Sequence, residues 1–209
     1  SSNVIAKISG ATKPDECIIY TAHWDHLGVG KPVNGDSIYN GALDNASGTA
    51  AVLEVARAFK NQKEKPERSI VFLFVTAEEQ GLLGSAWYAT HPVFPAEKTV
   101  ADINIDVINA NGPMKDISIS GAGQSELEDI FSDELKKQGR YIAPEARPEA
   151  GLYFRSDHFN FAKAGVPALT TDNGVDHAEK GKAYGEEKAK EWTEKYYHQP
   201  DDEYDTSRW

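Results

Sequence analysis

Apolar and polar positions divide the chain into short β-branched runs separated by longer amphipathic ones. Val4 to Ile8, Cys17 to Ala22, Ser69 to Thr76, Val100 to Ile108, Ile117 to Ser120 and Pro167 to Thr171 have the length and composition of strands. The clearest helical pattern runs from Ser47 to Lys60. There Val52, Val55, Ala56 and Phe59 recur at i, i+3, i+4 and i+7, while Glu54, Arg57 and Lys60 fall elsewhere. Further helices are expected over Gln80 to Thr90, Gln124 to Gly139, Ser156 to Ala164 and Gly185 to Tyr197. Strand and helix alternate, and Ile70 to Val75 is apolar at every position, as in a strand covered on both faces. The pattern predicts an α/β sandwich.

Breaker-rich segments at Gly28 to Gly41, His91 to Pro95, Gly121 to Gly123 and Asp172 to Gly185 read as loops over one sheet. None is long enough to be a linker, so residues 1–209 are expected to form a single domain. Asp and Glu outnumber Lys and Arg by 33 to 22, a formal charge of −11 that argues against nucleic-acid partners. No run approaches the ~20 apolar residues of a membrane helix, so no membrane insertion is expected. A single cysteine, Cys17, excludes an intrachain disulfide framework and a zinc ribbon. Ser1 opens the chain and Met114 is its one methionine, from which a removed leader, propeptide or upstream region is expected. The end at Trp209, without a following helix, suggests a missing C-terminal element.

In open α/β sheets ligands gather at the carboxyl ends of strands, so the polar residues are read there. Cys17 to Ala22 runs into His23, Trp24, Asp25, His26, where an imidazole can bind metal while a carboxylate two residues on orients it. The bland alternative makes both histidines loop residues bonded to backbone. Asp44 precedes the Ser47 helix, and a helix cap accounts for one of Asp44, Asn45 and Ser47 but not for all three. Glu78 and Glu79 follow an apolar strand. They are either a solvated first helical turn or a cation ligand beside a general base. Asp102, Asn104 and Asp106 share one strand face, costly unless that strand is a solvated edge or its end points into a cleft. His198 precedes a turn-like run and has a surface histidine as its alternative. Nitrogen and oxygen ligands without thiols suit zinc, manganese or cobalt at a catalytic site.

In order, AHWDHLG at 22–28, GALDNASGTAAVLEVAR at 41–57, VTAEEQGLLGS at 75–85, NIDV at 104–107, SDHFNFAKAGVPA at 156–168 and YHQPDDEYD at 197–205 resemble the co-catalytic zinc aminopeptidases. That family includes secreted bacterial leucine aminopeptidases and, more distantly, glutamate carboxypeptidase and glutaminyl cyclase. The resemblance implies a three-layer α/β sandwich with a mixed, mostly parallel sheet. It implies two zinc ions, with manganese or cobalt able to substitute. His23 and Asp106 would hold one, Glu79 and His198 the other, and Asp44 would bridge them. Asp25 would fix the tautomer of His23, and Glu78 would be the base for a bridging hydroxide that attacks peptides with a free N-terminus. It further implies a non-proline cis bond between Asp44 and Asn45, Tyr197 as an oxyanion donor or a packed aromatic, and Arg155 as a substrate contact or a salt bridge. Tyr153, Phe154, Phe159, Phe161 and the 172–185 loop are candidate walls of a specificity pocket, with core packing as the alternative. A structural role is expected for His158, and none is assigned to His177.

Other readings on the same scaffold are a cyclase, a carboxypeptidase and a non-catalytic peptidase-like binding domain. Cyclases alter the ligands of one zinc, whereas His23, Asp25 and Asp106 are all present here. A carboxypeptidase needs a basic pocket, for which Arg155 is the candidate, and non-catalytic relatives lose ligands. The family resemblance places the chain as secreted or periplasmic.

Overall fold

The computed structural model describes residues 2–206, so the expectation built on Trp209 lies outside it. Its elements follow as β1 (Val4–Ile8), β2 (Lys13–His23), β3 (Gly28–Val33), β4 (Asp36–Tyr39), α1 (Gly48–Asn61), β5 (Arg68–Val75) and α2 (Leu83–Thr90). They continue as β6 (Thr99–Asn104), β7 (Asp116–Ile119), α3 (Leu127–Lys137), β8 (Tyr141–Ala143), α4 (His158–Lys163), β9 (Ala168–Asn173) and α5 (Lys182–Lys195).

Seven strands form one sheet in the order β1-β5-β2-β6-β9-β7-β8. The four central strands β5, β2, β6 and β9 are mutually parallel, β1 runs against β5 and β7 against β9, and β8 is parallel to β7. This is the mixed, mostly parallel sheet that the sequence implied. His23 pairs with Val75 and Thr21 with Asn104, so β2, β5 and β6 finish at one edge of the sheet. The segments that follow them therefore share one cleft.

Alternation along β5 builds the layers. Val71, Leu73 and Val75 pack with Tyr88 of α2 and Phe161 of α4, while Ile70, Phe72 and Phe74 pack with Val52, Val55 and Phe59 of α1. Burial of each large side chain contributes about 1.5–3 kcal/mol relative to exposure, which fixes both helical layers to the sheet.

Three expectations are corrected. Residues 28–41 are not all loop: β3 and β4 pair as an antiparallel hairpin closed by Asn34 and Gly35, both at positive φ, as an Asn-Gly turn favours. The strand from Val100 ends at Asn104 rather than Ile108. Beyond it the side chain of Asn45 takes the Ile105 carbonyl and the Val107 N–H, and Val107 sits at φ 57°. Helix α2 starts at Leu83 rather than Gln80, because Gly81 and Leu82 both adopt left-handed backbone. Strand β8 was not foreseen; it is three residues long.

Candidate metal centre

Five segments converge on the cleft. β2 delivers His23, which is 1% exposed. After β5 the chain turns at Ala77, with φ 55°, and presents Glu78 and Glu79. Asp106 follows β6, Asp44 lies in the turn before α1, and His198 lies in the turn after α5 with φ 57°. Positive φ is costly for such residues and marks backbone held by its surroundings. The Asp44–Asn45 peptide bond is cis, as the resemblance implied.

Asn45 explains why the cap alone could not account for its neighbours. Its Oδ1 accepts from the Gly48 N–H at 2.9 Å and the Val107 N–H at 3.2 Å, and its Nδ2 donates to the Ile105 carbonyl at 2.9 Å. One side chain thus ties the start of α1 to the segment carrying Asp106. Gly48 is required by this closeness, since a Cβ there would lie 2.5 Å from the Ile105 carbonyl oxygen.

Asp44 lies between two imidazoles. His23 Nε2 is 3.2 Å from Asp44 Oδ1 and 3.3 Å from Asp106 Oδ1. On the other side, His198 Nε2 is 3.4 Å from Asp44 Oδ2 and 3.2 Å from Glu79 Oε2. In a tetrahedral zinc shell with bonds of about 2.0–2.1 Å, neighbouring ligand atoms lie about 3.3 Å apart. All four separations match that edge, so these residues fit a pair of zinc ions sharing one carboxylate.

The electrostatics are those of a cation site. Burial favours neutral His23, but contacts with Asp106 and Asp44 outweigh it and push its pKa up to about 12. Asp44 and Glu79 are also desolvated, yet the facing histidines hold Asp44 well below the usual carboxylate range and Glu79 at about 2. Contacts with Asp44 and Glu79 raise His198 to about 10. Glu78 behaves oppositely. Burial lifts it to about 9; His23 opposes the rise, and Asp106, Asp157 and Glu79 reinforce it.

The remaining candidates are distributed as follows. The Asp25 carboxylate accepts from the Glu78 N–H at 3.2 Å and lies 3.8 Å from His23 Nδ1, whose nearer partner is the Asp25 backbone carbonyl at 3.1 Å. The expected orienting of His23 therefore comes mainly from backbone. Tyr197 stacks on His198 with ring centroids 3.9 Å apart, and burial keeps its phenol protonated up to about 12. Arg155 is exposed and forms no ion pair among the described residues. Burial drives His158 down to about 4, a neutral core group, and His177 accepts from the Glu179 and Lys180 N–H groups, a structural role.

Several residues of the centre had no role assigned to them from sequence. His26 Nδ1 lies 2.7 Å from Glu79 Oε1. Ser156 Oγ donates to Asp106 Oδ2 at 2.7 Å and accepts from Asn104 Nδ2 at 2.7 Å, which places Asn104 on the same face for a reason. Asp202 accepts from the backbone of Leu43 and Asp44. The second histidine of His23-Trp24-Asp25-His26 was the one legible signal among these.

A cavity of about 380 Å³ opens beside Asp106, walled by Val107, Ile108, Met114, Ile117, Arg140 and Thr171 among others. None of the four expected aromatics lines it, and Phe161 belongs to the core, 2% exposed.

The model of Peptidase family M28 matches residues 3–209. Aminopeptidase NAALADL1 of Mus musculus is 39% identical over 112 residues, 51% of this chain and 14% of that protein. A probable zinc metalloprotease of Pyricularia oryzae is 36% identical over 149 residues, 71% of this chain and 27% of the relative. Among solved structures, BSAP, a zinc aminopeptidase from Bacillus subtilis, superposes with a TM-score of 0.67 at 23% identity, covering 96% of this chain and 44% of that one. The chain spans less than half the length of each of these three proteins.

Proposed function

The chain belongs to peptidase family M28, and from that premise we propose that it is a zinc-dependent aminopeptidase with two metal ions, acting on peptides with a free N-terminus. One observation carries the reading: Asp44 offers its two oxygens to two imidazoles on opposite sides, and each side is completed by one further carboxylate. Similarity to the mouse aminopeptidase supports the reaction class.

His23, Asp44 and Asp106 would hold one ion, and Asp44, Glu79 and His198 the other. Bound zinc supplies Lewis acidity, which polarises a peptide carbonyl and makes water acidic enough to lose a proton near neutrality. Glu78 takes that proton and returns it to the leaving amine. Burial favours the neutral carboxyl of Glu78 in the metal-free site, and two cations bound beside it would favour the carboxylate that takes the proton. Asp25 fixes the backbone of Glu78 through its N–H. Tyr197, protonated and stacked on His198, is the donor to the developing oxyanion. The cavity beside Asp106 receives the N-terminal side chain, and the exposed Arg155 contacts substrate.

The test is metal content of the purified chain together with hydrolysis of a leucine chromogenic amide before and after chelation. About two zincs per chain, with activity lost on chelation and restored by zinc, is the expected result. A chain that takes up no zinc, or hydrolyses the amide equally well without it, overturns the proposal.

A further inference from the structure

Resting on the two-metal reading, we propose that His26 is a positioning residue of the Glu79–His198 metal site: it holds one oxygen of Glu79 so that the other faces the ion. The imidazole and the carboxylate are both buried, with side chains 6% and 4% exposed, and His26 Nδ1 stands 2.7 Å from Glu79 Oε1. Among the described residues neither atom makes an aligned hydrogen bond with any group, so this close ion-pair contact is what each has. A carboxylate so enclosed must meet a cation or a donor on both oxygens. Glu79 meets His198 on Oε2 and His26 on Oε1.

Distance separates the two roles. The four contacts of His23 and His198 with the carboxylates lie at 3.2–3.4 Å, the spacing of ligands that share an ion. His26, Asp44 and Glu79 bring ligand atoms within 4.8 Å of one another, but the His26 contact with Glu79, at 2.7 Å, is too short for that edge and is a close ion pair rather than the spacing of two ligands on one ion. His26 also uses the Glu79 oxygen that His198 does not. Without it, the carboxylate is free to rotate its two oxygens between one-point and two-point binding, and that freedom has to be lost when the metal binds.

The fold makes room for this ring. His26 meets His198 edge-on, with ring centroids 5.8 Å apart, and packs against Gly41, where a Cβ would come within 2.5 Å of His26 Cγ. Gly41 has φ 65° and opens the turn that carries Asp44. The slot is thus built from the segments of two metal ligands.

The experiment is zinc titration of the full metal-free chain against a competing chromophoric chelator, for the wild type, His26→Ala and His26→Asn, with cobalt absorption as a second readout. Asn keeps an N–H donor near the place of Nδ1 but cannot act as an imidazole ligand. The expected result is that Ala weakens one of the two zincs by about 10–100-fold, the size of an outer-partner loss, and leaves the other unchanged. Asn should restore most of the affinity with an unaltered cobalt spectrum. The unchanged second zinc is the internal control for folding. Equal affinities in wild type and Ala overturn the inference alone. An Asn variant as weak as Ala, with a cobalt spectrum that reports a lost ligand, overturns it in favour of direct ligation. A wild-type chain that binds no zinc overturns both this inference and the reading it rests on.

Discussion

Asp202 carries the backbone of Asp44: its Oδ2 accepts the Asp44 N–H at 3.1 Å while its Oδ1 accepts the Leu43 N–H at 2.9 Å. Its own carbonyl accepts the Ala42 N–H at 3.1 Å. The residue is 2% exposed and lies four positions after His198. One carboxylate therefore locks the turn bearing the shared ligand to the turn bearing its far imidazole, 158 positions apart in sequence.

Replacing Asp202 with Ala leaves two buried N–H groups without acceptors, at about 1–3 kcal/mol each. Urea unfolding should show that loss, and zinc affinity should fall because Asp44 is released from its fixed place. Asp202→Asn retains one acceptor oxygen and should lose roughly half as much. Wild-type zinc affinity in Asp202→Ala would show that Asp44 is positioned without it.

Glu78→Gln should abolish peptide hydrolysis while zinc stays bound. The amide keeps the shape of the side chain but cannot take a proton, and a positioned base contributes about 10²–10⁴-fold. Amide hydrolysis and zinc content are measured on the same sample. Retained turnover removes Glu78 as the base, and lost zinc would make it a ligand instead.

The candidate ligands were legible because each lies beside a short apolar run, a helix start or a turn, where sequence already marks a change of backbone. His23 ends β2 and Glu79 closely follows β5, so strand pattern alone brings them to one edge. Asp202 was not legible, since it acts on N–H groups that carry no residue identity. His26 was visible but ambiguous, because its partner is a side chain 53 positions away in another segment. The end of β6 was overrun because Ile105, Val107 and Ile108 continue a strand pattern, and only Asn45 from another loop shows where the ladder stops. In the fold, the alternation of β5 predicted both helical layers, whereas the Asn34-Gly35 hairpin was obscured by the glycines around it.

Asp44→Ala should weaken both metal sites together, because Oδ1 faces His23 and Oδ2 faces His198. Asp106→Ala should weaken mainly one, since its contact is with His23. Stepwise zinc titration separates the two outcomes. Loss of a single zinc in Asp44→Ala would argue against a shared carboxylate.

Asp102 predicts how stability depends on pH. It lies in the central strand β6, fully buried, with Oδ1 accepting from Thr21 Oγ1 at 2.5 Å and Oδ2 without a hydrogen-bond partner among the described residues. Burial pushes its pKa up to about 8; Thr21 opposes the rise and Asp157 reinforces it. In the unfolded chain an aspartate titrates near ~3.9. Between about pH 4 and 8 the folded state therefore binds the extra proton, and stability falls as pH rises through that window. The cost is absent below it, complete above it, and at most about 1.4 kcal/mol per pH unit within it. Asp102→Asn is neutral at every pH and removes this term. Urea unfolding of the zinc-loaded wild type and variant at about pH 5 and about pH 8 should give a stability difference that shifts toward the variant at the higher pH. Because the metal centre is common to both proteins, that difference isolates Asp102, and a difference that stays constant with pH would show that its carboxyl is already ionised in the fold.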